Sequence, residues 1–364
     1  MIYQWYLFVL MAVVAIISVN SNLTYKVKAY GQTELRYQWY SVMMILFPMI
    51  YWAATRKDSG FGDTSAYRNS FKELPIGISN IFTYINGDYK DKGFYVFSII
   101  IKTIVGNSDV LYFGIIAAIC LACVACVYRK YSCNFMFSMF LFVASGEYIQ
   151  WTYNGIRQFI AVAIIFAGIT LILKEKYIPA IIIILVVSTI HASALLMIPI
   201  IFIVRGRAWN YRTVMFLLAV ILAIAFLGKF TNIITNVMEN SQYSNEVDQY
   251  LSTEGTNIYR VFVFAIPTVL SLVYKKRIDN ANNPVIDLCV NMSIASLGMY
   301  IISAFTSGIF IGRIPIYFSL YNYILLPWLV ENIFEKKSAK IVYAVIILFY
   351  MIFYYYQVHI TWGL

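Results

Sequence analysis

Apolar runs long enough to cross a membrane follow one another along almost the whole chain, and this leaves few folds open to it. They lie near residues 2–19, 38–54, 110–128, 133–148, 156–173, 211–228, 258–274, 285–304, 314–331 and 340–358. A helix needs about 20 predominantly apolar residues to cross a bilayer, with a range of roughly 17–25. Charged residues make up 12% of the chain, against about 25% in a soluble domain. The uninterrupted sequence of apolar blocks therefore predicts an all-α polytopic membrane protein, with residues 1–364 forming a single transmembrane domain. The first run has no basic segment before it and further spans follow, so it reads as a retained first helix and not as a cleaved signal.

The net charge of +10 would raise nucleic acid as a partner in a soluble protein. Here the basic residues stand in short clusters between apolar blocks, as topology signals do, and no nucleic-acid partner is expected. The cysteines Cys120, Cys123, Cys126, Cys133 and Cys289 lie in or beside apolar runs without nearby His or carboxylate, so they read as small core residues and not as metal ligands.

The stretch 178–204 is long for one helix and has His191 in its middle. It is either one tilted span or a hairpin of two short helices turning at His191. The distribution of Lys and Arg favours the hairpin. With the N-terminus outside, the hairpin places Lys26, Lys28, Arg36, Arg129, Lys130, Lys174, Lys176, Arg205, Arg207, Arg212, Lys275, Lys276, Arg277, Lys336, Lys337 and Lys340 inside, 16 of 27 basic residues. About 12 spans result, with both termini outside. Two outward loops follow from this topology, 55–109 and 229–257. Within the first, the apolar stretch 94–105 is too short to cross and carries Lys102, so it reads as an interfacial or re-entrant helix.

Four polar features fall on the outward side. The first is Arg56, with Gly60, Gly62 and Asp63 after it and then Tyr67 and Arg68; the glycines permit close ligand approach, and Asp63 suits either catalysis or the N-cap of a helix over 64–73. The second runs from Glu147 through Trp151, Tyr153 and Asn154 to Arg157 and Gln158, where an arginine opens an apolar helix. Such an arginine is costly in a membrane and needs a partner or a function there. It is either a snorkelling anchor or structural pair with Glu147, or an anion site. The third is His191 with Ser193. The fourth is Gly308, Gly312 and Arg313, with Pro315 suited to a first helical turn and Tyr317 one turn beyond Arg313. Arginine forks match phosphate bidentately, so Arg56, Arg157 and Arg313 suit a lipid phosphate or pyrophosphate. Trp151, Tyr153, Tyr67 and Tyr317 offer rings for stacking on sugars. No nucleotide-binding glycine pattern, metal site or cofactor signature is present.

These segments, in this order, resemble the EpsG-type branch of the Wzy polysaccharide polymerases of bacterial capsule, exopolysaccharide and O-antigen assembly. Arg56, Gly62-Asp63 and Tyr67 are similar to that family's R…G-T-D…Y loop, with Gly-Asp-Thr here in place of Gly-Thr-Asp. Asn154-Gly155-Ile156-Arg157-Gln158 is similar to its N-x-x-R-Q helix start, His191-Ala192-Ser193-Ala194 to its H-x-S-A turn, and Arg313 with Tyr317 to its late R-x-x-x-Y element. The resemblance implies glycosyl transfer on the outer face of the bacterial cytoplasmic membrane, with undecaprenyl-pyrophosphate-linked oligosaccharide as both donor and acceptor. A flippase and a chain-length regulator of the same pathway are implied as partners, beside membrane lipid. On this reading Arg157, Arg313 and Arg56 bind pyrophosphate, and His191, Asp63 or Glu147 supplies the base. Tyr67, Trp151, Tyr153, Asn154, Gln158 and Tyr317 contact sugar or support the site. The reaction is expected to proceed without a metal. Two rivals remain: a flippase of the same lipid-linked oligosaccharide, which should show internal repeats that are not evident, and an O-antigen ligase-like transferase.

Overall fold

The computed structural model describes residues 2–18, 22–29, 32–57, 62–240, 244–248 and 254–364. The chain is helical with almost no strand. It divides into two compact units where the sequence suggests one domain: residues 1–196 with 334–364, and residues 197–333.

In the first unit α1 (Ile2–Ser18) is followed by strands β1 (Thr24–Ala29) and β2 (Gln32–Tyr37), which pair antiparallel with Thr24 opposite Tyr37. This pair departs from the all-α expectation. Its cue is the short alternation of apolar and polar residues in Tyr25-Lys26-Val27, which a search for spans passes over. The basic end of α6 (Asp109–Tyr131) holds it in place. Arg129 donates to the Tyr37 carbonyl at 2.6 Å, and Arg36 donates to the Lys130 carbonyl at 3.0 Å.

Helix α6 is the axis of this unit. Ser108 caps its first turn through Leu111 N–H, Asp109 opens it, and Arg129 and Lys130 close it, the charge order that complements a helix dipole. Its 23 residues extend about 34 Å. Helices α2 (Trp39–Ala54) and α9 (Ile156–Ala167) pack against it. Gly114 lets α2 approach, since a Cβ there would stand 3.3 Å from the Ala54 methyl, a close packing that membrane helices favour.

The segment 55–109 holds three α-helices: α3 (Thr64–Glu73), α4 (Ile81–Asn86) and α5 (Lys92–Val105). Helix α5 covers the short apolar stretch expected at 94–105. Lys102, which looked out of place there, is buried and donates to the Phe71 and Lys72 carbonyls at 2.7 Å each. It satisfies carbonyls at the C-terminal end of α3, where a cation also complements the dipole. Then come α7 (Phe135–Ala144), the short α8 (Glu147–Ile149), a π-helical turn over Gln150–Asn154, α9, α10 (Ile169–Leu173) and α11 (Tyr177–Ser188). Helix α11 ends at Ser188, so 178–204 is not one continuous helix. The chain turns at Thr189 and Ile190 and resumes as a 3-10 helix over Ala192–Leu196.

The second unit contains α12 (Met197–Ile203), α13 (Tyr211–Ala225), α14 (Leu227–Glu239), α15 (Ile258–Val273), α16 (Lys275–Ala281), α17 (Pro284–Phe305), α18 (Ile316–Ser319) and α19 (Asn322–Ile333); α20 (Lys336–Tyr355) returns to the first unit. Buried Asn291 of α17 ties down the basic turn after α12: its amide donates to the Val204 carbonyl at 2.9 Å and accepts from Trp209 N–H at 3.1 Å. The start of the outward loop expected at 229–257 is instead helical through Glu239. Phe230, Ile234 and Met238 recur at helical spacing and pack with Val220, Ile302 and Ile311, an amphipathic pattern. Helix α14 leaves α13 at an angle of 98°.

Among the described residues, four helices are long and apolar enough to cross a membrane: Asp109–Tyr131, Ile156–Leu173, Pro284–Phe305 and Lys336–Thr361. Two bent pairs, Tyr211–Ala225 with Leu227–Glu239 and Ile258–Val273 with Lys275–Ala281, raise the number to six. The expected twelve is not reached by this measure, because helices such as Trp39–Ala54, Phe135–Ala144 and Tyr177–Ser188 are shorter than a full crossing.

Candidate functional site

The sequence motifs of the first unit converge at the N-terminal end of α9. Gly62, with φ of 77°, lies directly against Asn154: a Cβ on Gly62 would stand 2.7 Å from Asn154 Cβ and 2.9 Å from its Cα. The left-handed backbone and the close approach each require glycine here. Gly60, its expected counterpart, lies outside the described residues. The contact brings the Arg56–Tyr67 loop onto the segment that opens α9.

Arg56 follows α2 and is buried, with 6% exposure. Its guanidinium lies over two rings, 4.2 Å from the Phe113 centroid and 4.8 Å from that of Tyr153. Nε donates to the Ala53 carbonyl at 2.5 Å and Nη1 to the Thr152 carbonyl at 2.7 Å. The π-helical turn over Gln150–Asn154 presents that carbonyl; such widened turns often mark functional positions. Burial pulls the Arg56 guanidinium down to about 10, with the Tyr153 and Tyr148 hydroxyls opposing, so it remains a cation at neutral pH. Its Nη2 is buried without a hydrogen-bond partner among the described residues, as are Thr64 Oγ1 and Thr152 Oγ1. Arg68 adds a second cation, donating to the Arg56 carbonyl at 2.7 Å and pairing with Asp109 at 2.5 Å.

Asp63 stands at the N-cap position of α3, where the sequence expects a helix to begin. It makes no side-chain capping bond and is exposed, so its carboxylate is not committed to the helix end.

Arg157 is in the first turn of α9. Nη1 reaches Asp91 Oδ2 at 3.0 Å, with the Asp91 side chain 5% exposed and that of Arg157 35% exposed. The guanidinium lies 5.8 Å from the Tyr67 ring and 5.7 Å from that of Phe94. The structural partner considered from the sequence, Glu147, is therefore replaced by Asp91. Glu147 is fully buried and accepts from the Trp151 indole N–H. Beside it, Gly146 has φ of 83°, and a Cβ there would lie 3.1 Å from the Trp362 ring.

The His191 turn meets the same region through α5. Gly93 N–H donates to the Thr189 carbonyl at 2.8 Å. His191 Nδ1 and Ser193 Oγ are 2.7 Å apart, so the H-x-S spacing is a local hydrogen bond. Of the rings expected to contact sugar, Tyr67 is partly exposed, whereas Trp151, Tyr153 and Tyr317 are buried, as is Gln158.

Arg313 and Tyr317 belong to the second unit. Arg313 ends a 3-10 turn over Ile311–Arg313, and Pro315 occupies the N-cap position of α18, which carries Tyr317. Phe310, Ile311 and Ile314 around Arg313 pack in the cluster that holds α14. Gly308 N–H donates to the Glu254 carbonyl at 2.9 Å, and Cβ atoms on Gly308 and Gly312 would crowd residues 254–256. Gly308 thus admits the backbone of residues 254–256, and Gly312 the Thr256 hydroxyl.

Sequence reasoning missed Asp91, Gly93 and Phe94. The available signal was an Asp followed two residues later by Gly, just before the apolar stretch 94–105. Among the described residues no group of three or more His, Cys, Asp or Glu side chains is arranged to hold a metal ion. The first-unit cluster therefore combines cations, an exposed carboxylate and a histidine in a setting suited to anion binding and proton transfer.

No curated protein and no solved structure matches the chain. Residues 39–361 match the family model described as the EpsG family, a span that contains every motif discussed above. The chain belongs to the EpsG family, the family of Wzy-type polysaccharide polymerases.

Proposed function

We propose that the protein polymerises undecaprenyl-pyrophosphate-linked oligosaccharide repeat units into a surface polysaccharide, on the outer face of the bacterial cytoplasmic membrane. The acceptor hydroxyl oxygen of one lipid-linked repeat attacks the anomeric carbon of the donor glycan. A glycosidic bond forms, the bond from the anomeric carbon to the pyrophosphate oxygen breaks, and undecaprenyl pyrophosphate leaves with the electron pair. The acceptor proton passes to a base.

The observation that carries this reading is Arg157: a cation at a helix start, held by a buried carboxylate, flanked by aromatic rings and still partly exposed. Cations at the leaving group stabilise the charge that develops there, and a charge-assisted hydrogen bond contributes roughly 1.5–3 kcal/mol. Arg313, in the second unit, is a further candidate pyrophosphate ligand in this proposal. Arg56, buried against the Phe113 and Tyr153 rings, takes the lesser share. His191 is the preferred base; with Nδ1 engaged by Ser193, it would act through Nε2. Exposed Asp63 is the second candidate and buried Glu147 the third. Metal-independent transfer and twelve spans complete the proposal.

The test is reconstitution of the purified protein in vesicles with purified lipid-linked repeat units. A ladder of multiples with released undecaprenyl pyrophosphate is expected. Movement of the lipid across the bilayer without any change in glycan length would reject polymerisation in favour of a flippase.

A further inference from the structure

We infer that Asp91 and Gly93, at the start of α5, are positioning residues that hold Arg157 and the His191 turn in one fixed register. The inference rests on the reading of Arg157 and His191 as the reacting cluster.

Asp91 adopts a left-handed conformation, with φ of 52° and ψ of 48°. Aspartate tolerates this better than most residues. It occupies the N-cap position of α5 yet makes no side-chain capping bond. At this position an Asp carboxylate ordinarily accepts from the backbone of its own helix. Here it is buried and pairs with Arg157, 66 residues away, at 3.0 Å. A buried carboxylate needs such a pairing. The contact engages Nη1 and Tyr67 hydrogen-bonds the guanidinium as well, yet the arginine side chain is still 35% exposed, so part of it faces a ligand's approach.

Two residues on, the same turn grips the histidine loop. Gly93 N–H donates to the Thr189 carbonyl at 2.8 Å. A Cβ on Gly93 would lie 2.1 Å from Thr189 Oγ1 and 2.8 Å from the Thr189 carbonyl carbon. The second contact is to backbone, so a side chain at position 93 must displace the turn itself. One three-residue segment thus fixes the guanidinium with a side chain and the His191 turn with its backbone. Neither residue is required to touch substrate.

The test uses full-length Asp91→Ala, Asp91→Asn, Gly93→Ala and Arg157→Ala proteins reconstituted with lipid-linked repeat units. Displacing reacting groups by about 1 Å costs up to about 100-fold. Asp91→Ala and Gly93→Ala are therefore expected to lower kcat by about tenfold or more, with KM changed far less. Asp91→Asn, whose amide oxygen still accepts from Arg157, should recover part of that loss. A second readout is independent of turnover and covers a variant that fails to fold: phenylglyoxal modification of Arg157, followed by mass spectrometry in Asp91→Asn. Loss of the carboxylate charge should speed it several-fold. Full kcat in Asp91→Ala beside an inactive Arg157→Ala, or an unchanged modification rate, would overturn the inference. Full activity in Arg157→Ala itself would instead overturn the reading on which it rests.

Discussion

Gly62 and Asn154 are in such close contact that no side chain fits between them: a Cβ on Gly62 would lie 2.7 Å from Asn154 Cβ. The two residues are far apart in sequence and belong to different motifs. Their contact is what brings the Arg56 loop to the helix that carries Arg157.

Gly62→Ala should therefore damage the site twice over, through the positive φ of 77° and through the clash with Asn154. Backbone strain of this type costs about 1–3 kcal/mol. The expected result is a protein that still reaches the membrane, melts at lower temperature in detergent and makes mainly single-repeat product. Asn154→Gly, which removes the clashing Cβ, should restore part of the stability when combined with it.

Arg56 is held by two aromatic rings, Phe113 and Tyr153, beside its hydrogen bonds to the Ala53 and Thr152 carbonyls. Lysine cannot reproduce a planar stacked fork. Arg56→Lys should lose about 2 kcal/mol, the magnitude of a desolvated cation–π contact, and should behave nearly as Arg56→Ala in chemical denaturation. Equal stability of Arg56→Lys and the parent protein would refute the stacked role.

Lys102→Met should loosen the C-terminal end of α3, because the ammonium donates to both the Phe71 and Lys72 carbonyls. Leaving buried acceptors unsatisfied costs about 1–3 kcal/mol. Hydrogen exchange should increase over Thr64–Glu73 and remain unchanged in α6.

Much of this local architecture was legible in the sequence. The start of a helix after Asp63, the short helix over 94–105 and the break at His191 all follow from capping residues, apolar length and a polar residue in an apolar run. The Arg157 partnership did not follow. Asp91 lies 66 residues from Arg157, and no periodicity connects them, whereas Glu147 was near in sequence and drew the assignment. The strand pair at Thr24–Tyr37 and helix α14 were hidden between stronger apolar signals. Which aromatic residues reach the surface was also beyond the sequence: Tyr67, Trp151 and Tyr153 look alike there, yet of the three only Tyr67 is partly exposed.

The proposed topology predicts that His191 faces outward. In a protein with His191→Cys and its native cysteines replaced, an impermeant thiol reagent applied from outside should label position 191. Labelling only from the cytoplasmic side would reject the outward site.

The proposed chemistry depends most on Arg157, so its removal is the most direct measurement. Vesicles containing Arg157→Ala at the same density as the parent protein would be supplied with purified lipid-linked repeat units, and product length read on a gel. Single repeats only are predicted, with the variant folded and its loss much larger than the few-fold effect of a peripheral surface change. A normal ladder from Arg157→Ala would contradict the role given to this arginine.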